Sequence, residues 1–183
     1  MRLTRKFIPD LYVKSIYEIP YHDFKKQGIT TLFFDLDNTL IGYDEDILPE
    51  DVIAFLNTLT SDFKIMVLSN SGYKRVQKAI QTTFPFIHLM FKPFKRGFKK
   101  ALRKSHSKPH EVLVIGDQLM TDVFGAHRMK MQVCLVKSVR RSSDRWMTKI
   151  NRWLERRMLN RIRRKDPKLY EERLEVYVND HAL

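Results

Sequence analysis

Two aspartates stand one residue apart at the end of an apolar segment, in the stretch TLFFDLDNTL. Asp35 and Asp37 follow Leu32, Phe33 and Phe34, which are typical of a buried strand. Burying charge is costly, and two like charges about 4 Å apart repel by roughly 4 kcal/mol at an effective dielectric of about 20. The pair therefore needs a counter-charge from elsewhere in the chain or from a ligand.

Polar side chains recur where each later apolar segment ends. Ser69 and Asn70 follow FKIMVL, Lys92 follows HLMF, and Asp117 ends EVLVIGD. In open parallel sheets, functional groups gather at the carboxyl ends of the strands. We therefore expect these side chains to meet the aspartate pair at one edge of a sheet.

Carboxylates, a lysine and a hydroxyl at one place predict phosphoryl-transfer chemistry. Mg²⁺ takes oxygen ligands, commonly one or two carboxylates together with phosphate oxygens and water. A helix that begins after residues 69–72 offers backbone N–H groups that favour an anion. A metal ion would offset the repulsion between the aspartates. One carboxylate could then attack phosphorus and form an aspartyl-phosphate, while the other moves protons.

Alternating apolar and amphipathic segments predict the elements that position these groups. After the strand TLFFDLD, the pattern indicates a helix over PEDVIAFLNTL, a strand over FKIMVLSN, a helix over YKRVQKAIQTTF, a short strand over HLMF, a helix over FKRGFKKALRKS, a strand over EVLVIGD, a helix over LMTDVFGAHRM and a strand over QVCLVK. Such alternation favours an α/β fold with a doubly wound, mostly parallel sheet. We expect a helical or irregular lead-in over 1–29, a core over 30–137 and a basic helical extension over 138–183.

The spacing of the polar positions leaves no room for a sizeable cap. Asp37 and Ser69 are 32 residues apart, and Ser69 and Lys92 are 23 apart, so about one helix fills each interval. We therefore expect a site open to solvent. Such a site can admit a phosphate carried on a membrane surface or a macromolecule.

The charge of the chain is strongly positive and unevenly distributed. The formal net charge is +13 at pH 7. Residues 137–168 carry 13 Lys and Arg against three Asp and Glu, and residues 92–108 carry eight basic residues and no acidic ones. This asymmetry favours an anionic partner such as a phosphorylated substrate, lipid headgroups or RNA.

A basic amphipathic helix is predicted over residues 142–165. Arg and Lys fill most positions around an apolar stripe that consists of Trp146, Ile150, Trp153, Leu154, Met158 and Ile162. Such a helix suits an anionic membrane surface or RNA, and its stripe could equally dock on the protein's own core with the charges solvated. The sequence leaves these alternatives open.

Several further residues are expected to be structural. Phe91, Phe94 and Phe98 are expected in the core rather than in a base-stacking platform.

Cys134, the only cysteine, excludes an internal disulfide and suits a reducing compartment, so we expect a cytoplasmic protein. The apolar runs of the chain are far shorter than the roughly 20 residues of a membrane-spanning helix, so we expect no transmembrane segment. We also expect no cleaved secretory signal.

The motifs resemble those of the haloacid-dehalogenase (HAD) superfamily of phosphatases. DLDNT matches the DxDxT nucleophile motif of that superfamily, LSNS its second motif, Lys92 with Pro93 its third and GDQLMTD its fourth, in the same order across residues 30–137. DLDNTL and GDQLMTD are most similar to the YqeG-type branch, which is similar to mitochondrial phosphatidylglycerophosphate phosphatases.

The resemblance implies a Rossmann-like HAD core and a role for each motif residue. Asp35 would attack phosphorus, and Asp37 would protonate the leaving oxygen and later activate water. Thr39 would belong to the substrate-binding residues, and its chief role would be to orient the loop that carries Asp35 and Asp37. The phosphoryl oxygens would be held by Ser69, Asn70 and Lys92, and Mg²⁺ by Asp35, the backbone carbonyl of Asp37, Asp117 and Asp122.

The implied function is that of a Mg²⁺-dependent phosphomonoesterase acting on a lipid-linked phosphate. Phosphatidylglycerophosphate is the expected substrate, and the inner face of the membrane the expected place of peripheral attachment. Two alternatives stay open. The same chemistry could serve a nucleotide, a nucleic-acid end or a phosphoprotein. The chain could instead be an RNA- or ribosome-associated binding protein whose phosphatase site is secondary.

Overall fold

A sheet of parallel strands forms the centre of the molecule. The computed structural model describes residues 3–81, 83–139 and 146–181. In chain order the strands are β1 Leu11–Val13, β2 Thr31–Asp35, β3 Lys64–Leu68, β4 Phe86–Ile87, β5 Val112–Gly116 and β6 Gln132–Val136. They form one sheet of six strands in the order β1-β6-β5-β2-β3-β4, and every pairing is parallel. The predicted α/β fold is confirmed.

Helices cover both faces of the sheet. Their bounds are α1 Tyr21–Lys26, α2 Glu50–Leu59, α3 Tyr73–Ile80, α4 Lys95–Ser105, α5 Phe124–Arg128, α6 Trp146–Lys165, α7 Pro167–Arg173 and α8 Glu175–His181. Short 3₁₀ turns lie at Leu3–Phe7, Ile16–Glu18 and Pro109–Glu111, and a π-helical turn at Leu119–Val123 leads into α5. Within the described ranges, no helix combines the length and the apolar character needed to cross a bilayer.

The side chains of β2 alternate between two hydrophobic layers. Leu32 and Phe34 pack with residues of α1, α2 and α3, whereas Phe33 packs on the opposite face with α4 and the C-terminal helices. All five residues of β2 are buried because helices cover both faces of this central strand. Full burial of each apolar side chain among them (Leu32, Phe33 and Phe34) contributes about 1.5–3 kcal/mol.

The C-terminal helices pack onto the second face of the sheet. Leu159 and Ile162 of α6, with Leu174 and Tyr177 further along, are buried in the same cluster as Phe33. One alternative for the apolar stripe of this helix was that it docks on the protein's own core. The observed contacts agree with that alternative for part of the stripe. That residues 30–137 form a separate core stays a prediction.

The predicted stripe of α6 is divided between two faces. Ile162 is buried, whereas Trp153 and Leu154 are exposed. The side chains of Trp146 and Ile150 lie outside the described residues. The contacts of α6 with the core therefore use only one part of the stripe.

Two phenylalanines do not lie where the sequence predicted. Phe98 is buried on α4, as expected, but Phe91 and Phe94 are 63% and 64% exposed. Phe94 precedes the first residue of α4 instead of continuing its apolar face. The expectation that both residues belong to the core was wrong.

Two strands also differ from the expectation. Residues 11–13, expected to be helical or irregular, form the edge strand β1, which pairs with β6. The strand predicted at HLMF lies instead at Phe86–Ile87. Leu89 and Phe91 have φ angles of 48° and 51°, which are incompatible with an extended strand.

Strand β2 marks the point where the order of the sheet reverses. Strands β3 and β4 lie on one side of it, and β5, β6 and β1 lie on the other. In doubly wound sheets, ligands bind outside the carboxyl ends of the strands at this switch point. The described connections β2–β3 and β3–β4 consist of loops with α2 and α3, so they form no separate cap over this crevice.

Candidate active site

A buried lysine lies between two buried aspartates at the carboxyl edge of the sheet. Lys92 Nζ donates hydrogen bonds to Asp35 Oδ1 at 2.5 Å and to Asp122 Oδ1 at 2.7 Å. Unpaired buried charges cost several kcal/mol each, so these contacts are needed to hold all three groups in the interior. These contacts therefore link side chains that lie at or after the carboxyl ends of β2, β4 and β5.

Asp117 completes an acidic cluster with Asp35 and Asp122. One carboxylate oxygen of each residue lies within 4.8 Å of the others, and all three residues are buried. Ser138 Oγ donates to Asp117 Oδ2 at 2.6 Å. In the described parts of the chain, Lys92 is the only buried cationic side chain. A hard divalent cation fits this all-oxygen donor set, and it would supply positive charge that polarises a phosphoryl oxygen.

Burial, together with the neighbouring charges, shifts the pKa values of these groups. Burial raises the pKa of Asp35 well above its ordinary value; Lys92 opposes the rise, and Asp122 and Asp117 add to it. Burial also raises the pKa of Asp122, again against the effect of Lys92. Burial by itself would lower the pKa of Lys92, but Asp122 and Asp35 outweigh it and raise that pKa above its ordinary value. An added cation would favour the ionised carboxylates.

The tight turn after β2 orients the first aspartate. Asn38 has a φ of 65°, a conformation that Asn tolerates better than most residues, and its backbone N–H donates to the carbonyl of Ile41 at 2.6 Å. Thr39 Oγ1 donates to Asp35 Oδ2 at 3.2 Å. Thr39 therefore orients the Asp35 carboxylate.

The carboxylate of Asp37 belongs to a second, separate set of contacts. Ser69 Oγ and Ser71 Oγ donate to its Oδ2 at 3.0 and 2.8 Å. Arg75 donates to its Oδ1 from Nε at 3.2 Å and from Nη2 at 3.1 Å, and also to the carbonyl of Gly42 at 3.2 Å. Both oxygens are held, so the orientation of Asp37 is fixed before any substrate binds.

Asn70 contacts the backbone of Lys92. The Lys92 N–H donates to Asn70 Oδ1 at 2.7 Å, and Asn70 Nδ2 donates to the Lys92 carbonyl at 3.3 Å. The N–H of Met90 donates to the Ser69 carbonyl at 3.0 Å. The resemblance implied that Asn70 holds a phosphoryl oxygen, but the structure places its amide where it positions the lysine.

The close approach of Asp122 requires a glycine at position 116. A Cβ on Gly116 would lie 2.3 Å from Cγ of Asp122, closer than two non-bonded carbons can come. Asp122 itself lies on the π-helical turn, and its Oδ2 accepts hydrogen bonds from Gln118 N at 3.3 Å and Thr121 Oγ1 at 3.1 Å. Turns of this kind occur frequently at functional sites.

The sequence did not predict Ser71, Arg75 or Ser138 as residues of the site. Ser71 stands two residues after Ser69, and Ser138 follows the end of β6, so the strand-end rule that found the other residues could have included both. Arg75 lies inside α3. Its contact with Asp37 depends on how that helix packs, which no local pattern indicates.

The fold and the site together define a class of enzyme. A doubly wound parallel sheet carries an aspartate pair, a buried lysine and a cluster of carboxylates at its switch point. This combination is that of HAD-superfamily phosphatases, which the motifs resembled.

Comparison with known proteins gives the family. A sequence model of the family described as mitochondrial PGP phosphatase matches residues 1–140. The chain is 35% identical over 172 residues to a Bacillus subtilis (strain 168) protein named probable phosphatase YqeG, across 93% of this chain and 99% of that protein. The chain belongs to this phosphatase family.

Solved structures share the fold. A HAD family enzyme from Bacteroides thetaiotaomicron, in complex with magnesium and inorganic phosphate, matches with a TM-score of 0.53 at 13% identity, over 66% of this chain and 98% of that chain. A predicted HAD-like family hydrolase from Porphyromonas gingivalis matches with a TM-score of 0.50 at 15% identity, over 69% and 98% of the two chains. At such identities the likeness establishes the fold.

Proposed function

We propose that the protein is a Mg²⁺-dependent phosphomonoesterase that acts through an aspartyl-phosphate on a lipid-linked phosphate, with phosphatidylglycerophosphate as the preferred substrate. The observation that carries the chemistry is the buried Lys92 between Asp35 and Asp122, with Asp117 beside them. A lysine and a carboxylate nucleophile in contact can bind and attack the same phosphoryl group.

Each site residue has a role in the proposed reaction. A carboxylate oxygen of Asp35 attacks phosphorus in line, and the bond from phosphorus to the leaving oxygen breaks. Protonated Asp37 gives its proton to that oxygen. It then takes a proton from a water that attacks phosphorus, the bond between phosphorus and the Asp35 oxygen breaks, and phosphate is released. Lys92 and the Ser69 hydroxyl bind the equatorial oxygens.

The carboxylates divide between two tasks. Asp35, Asp117 and Asp122 would hold Mg²⁺, together with the backbone carbonyl of Asp37. The side chain of Asp37 is held apart from this cluster by Ser69 and Arg75, and this separation suits a residue that must exchange a proton.

The openness of the site supports a large substrate. The described connections above the switch point form no cap, so a phosphate could reach Asp35 while the rest of the substrate stays outside. The family description names PGP phosphatase, which is the support for a phospholipid. A peripheral position at the inner face of the membrane is part of the proposal.

Substrate profiling tests the proposal. The purified chain with Mg²⁺ would be assayed on phosphatidylglycerophosphate in mixed micelles, nucleoside monophosphates, a 5′-phosphorylated oligonucleotide and a phosphopeptide, with Asp35→Asn as the inactive control. We expect kcat/KM for the lipid to exceed the others by at least about tenfold. A preference for a nucleotide or an oligonucleotide end would contradict the lipid assignment. A folded wild type that cleaves none of these would contradict the chemistry.

A further inference from the structure

Three large apolar side chains next to Lys92 in sequence are directed to solvent. Leu89 is 47% exposed, and Phe91 and Phe94 are still more exposed, whereas Lys92 between them is buried. Single exposed apolar residues are ordinary. Three within six residues, beside the lysine of a candidate active site, form a patch that indicates an interaction surface.

The backbone of this loop holds the apolar side chains outward. Leu89 and Phe91 both adopt the left-handed conformation, which is unfavourable for residues with a Cβ. The N–H of Leu89 donates to the Ser71 carbonyl at 3.0 Å, and Asn70 holds the backbone of Lys92 on both sides. The exposure is therefore built into the same contacts that position the lysine.

Helix α4 continues this surface with positive charge. Its exposed side chains are all basic, and they are Lys95, Arg96, Lys99, Lys100, Arg103 and Lys104. Residues 92–108 contain no acidic residue. Lys95, Lys99 and Arg103 help to line a shallow groove of about 530 Å³ along the helix. A groove lined with cations suits anionic headgroups.

We propose that Leu89, Phe91 and Phe94, together with the basic face of α4, form a docking rim that inserts into the surface of an anionic lipid bilayer. Exposed aromatic and aliphatic side chains beside a cationic face are what interfacial segments present to a membrane. The rim adjoins Lys92, so its insertion places the phosphoryl site at headgroup level. A phosphate on a lipid then reaches Asp35 without leaving the bilayer. This inference rests on the proposed function, because docking on a membrane serves catalysis only if the substrate is a lipid.

Vesicle binding tests the docking rim independently of catalysis. The vesicles contain phosphatidylcholine with or without phosphatidylglycerol and no phosphomonoester, so binding is measured whether or not the enzyme hydrolyses phosphatidylglycerophosphate. The rim variant combines Phe91→Asn with Phe94→Ser. Asn tolerates the left-handed conformation, and Ser suits the position before a helix, so the variant is expected to fold. Its melting temperature checks this.

A double variant of α6 is the matched control. Trp153→Ser with Leu154→Ser removes two exposed apolar side chains from another basic helix. We expect the partition coefficient onto anionic vesicles to fall by about tenfold or more in the rim variant. Such a fall supports the proposal when the α6 variant keeps nearly the wild-type partition coefficient, and an equal fall in the α6 variant overturns it because the loss is then not specific to the rim. A smaller fall, no binding of the wild type to anionic vesicles, or equal binding to vesicles without phosphatidylglycerol overturns it.

A fluorescence measurement keeps the proposal testable if the rim variant fails to fold. Phe91→Trp would be made in a chain whose Trp146 and Trp153 are replaced by Phe. Quenching of its emission by brominated acyl chains supports insertion, and unquenched emission with vesicles bound overturns it. Binding of single-stranded RNA through the rim without binding of vesicles identifies RNA as the partner and also overturns the proposal.

Discussion

Arg75 places two nitrogens on a single carboxylate oxygen of Asp37, Nε at 3.2 Å and Nη2 at 3.1 Å from Oδ1. The two residues are 38 positions apart in the chain. Asp37 is thereby held from α3, while Ser69 holds its other oxygen from the end of β3. The orientation of Asp37, the acid–base group of the proposed reaction, thus depends on Arg75. This residue lies within a helix and does not belong to the polar residues that follow the strands.

Replacing Arg75 should lower the rate more than the affinity. In Arg75→Ala the Asp37 carboxylate loses one of its anchors, and misplacement of a catalytic group by about 1 Å can cost roughly 100-fold. We expect kcat on a soluble phosphate ester to fall by about 10- to 100-fold with KM changed less than about threefold. Arg75→Lys should be intermediate, since lysine keeps the charge without the planar fork.

Lys78 on the same helix gives a matched control for Arg75. It pairs with Asp46 at the surface, and such exposed pairs contribute little. Lys78→Ala should therefore leave kcat nearly unchanged. A raised KM with normal kcat in Arg75→Ala would show instead that Arg75 contacts the substrate.

Magnesium should stabilise the protein through the cluster of Asp35, Asp117 and Asp122. At about a hundred times its dissociation constant, a ligand adds about 2.7 kcal/mol, which corresponds to roughly 5–10 °C in Tm for a chain of this length. We expect this shift in a thermal melt of the wild type and its loss in Asp117→Asn. Asp46→Asn, at an exposed site, should keep it. An unchanged shift in Asp117→Asn would contradict the assignment of the metal site.

Replacing Gly116 with alanine should lower both the stability of the protein and its phosphatase activity. In Gly116→Ala the new Cβ would have to displace Asp122, and overpacking of this kind typically costs about 1–3 kcal/mol. We expect a lower midpoint in urea unfolding and a loss of phosphatase activity. Gly72→Ala is the control because a Cβ there meets nothing within 4 Å. Full activity in Gly116→Ala would show that the position of Asp122 does not matter.

The parts of the fold that the sequence predicted are those with a local, periodic signal. Strand β2 has the apolar run Leu32, Phe33 and Phe34 at its centre, and α2 begins after Pro49 with two acidic residues in its first turn. Strand β1 was missed because three residues carry too little pattern, and its place beside β6 is decided by a partner more than 100 residues away. For Phe91 the apolar type predicted burial, but the backbone conformation of the loop directs the side chain outward.

The buried C-terminal helices should be part of the stable fold and not a detachable extension. Leu174 is fully buried against the second hydrophobic layer, and Leu→Ala at such positions costs about 2–5 kcal/mol. We expect Leu174→Ala to reduce the free energy of unfolding by that amount in a single cooperative transition. Val176→Ala, two residues on and exposed, should change it by less than about 0.5 kcal/mol. Separate unfolding of residues 146–181 would support instead the division predicted from the sequence.

Cys134 should make the stability depend on pH in the alkaline range. It lies in the central sheet with no exposed surface, and burial, with a smaller effect of Asp10, raises the pKa of its thiol above the ordinary value. An unfolded thiol ionises near about pH 8.5, whereas the folded one stays protonated. The unfolded state therefore binds fewer protons above that pH. The contribution of the thiol to stability is fully present below about pH 8.5 and declines as the pH rises toward the folded pKa, by at most about 1.4 kcal/mol per pH unit.

Urea unfolding between about pH 7 and pH 9 measures this effect, because unfolded tyrosines ionise mainly near about pH 10. The Cys134→Val variant keeps a buried apolar side chain of similar size but has no proton to lose, so its stability should change less with pH than that of the wild type. Folded wild type should also react with a thiol reagent only as fast as the sheet opens. Equal pH dependence in both proteins, or rapid modification of the folded chain, would mean that the thiolate forms without unfolding and that β6 is less well covered than its contacts indicate.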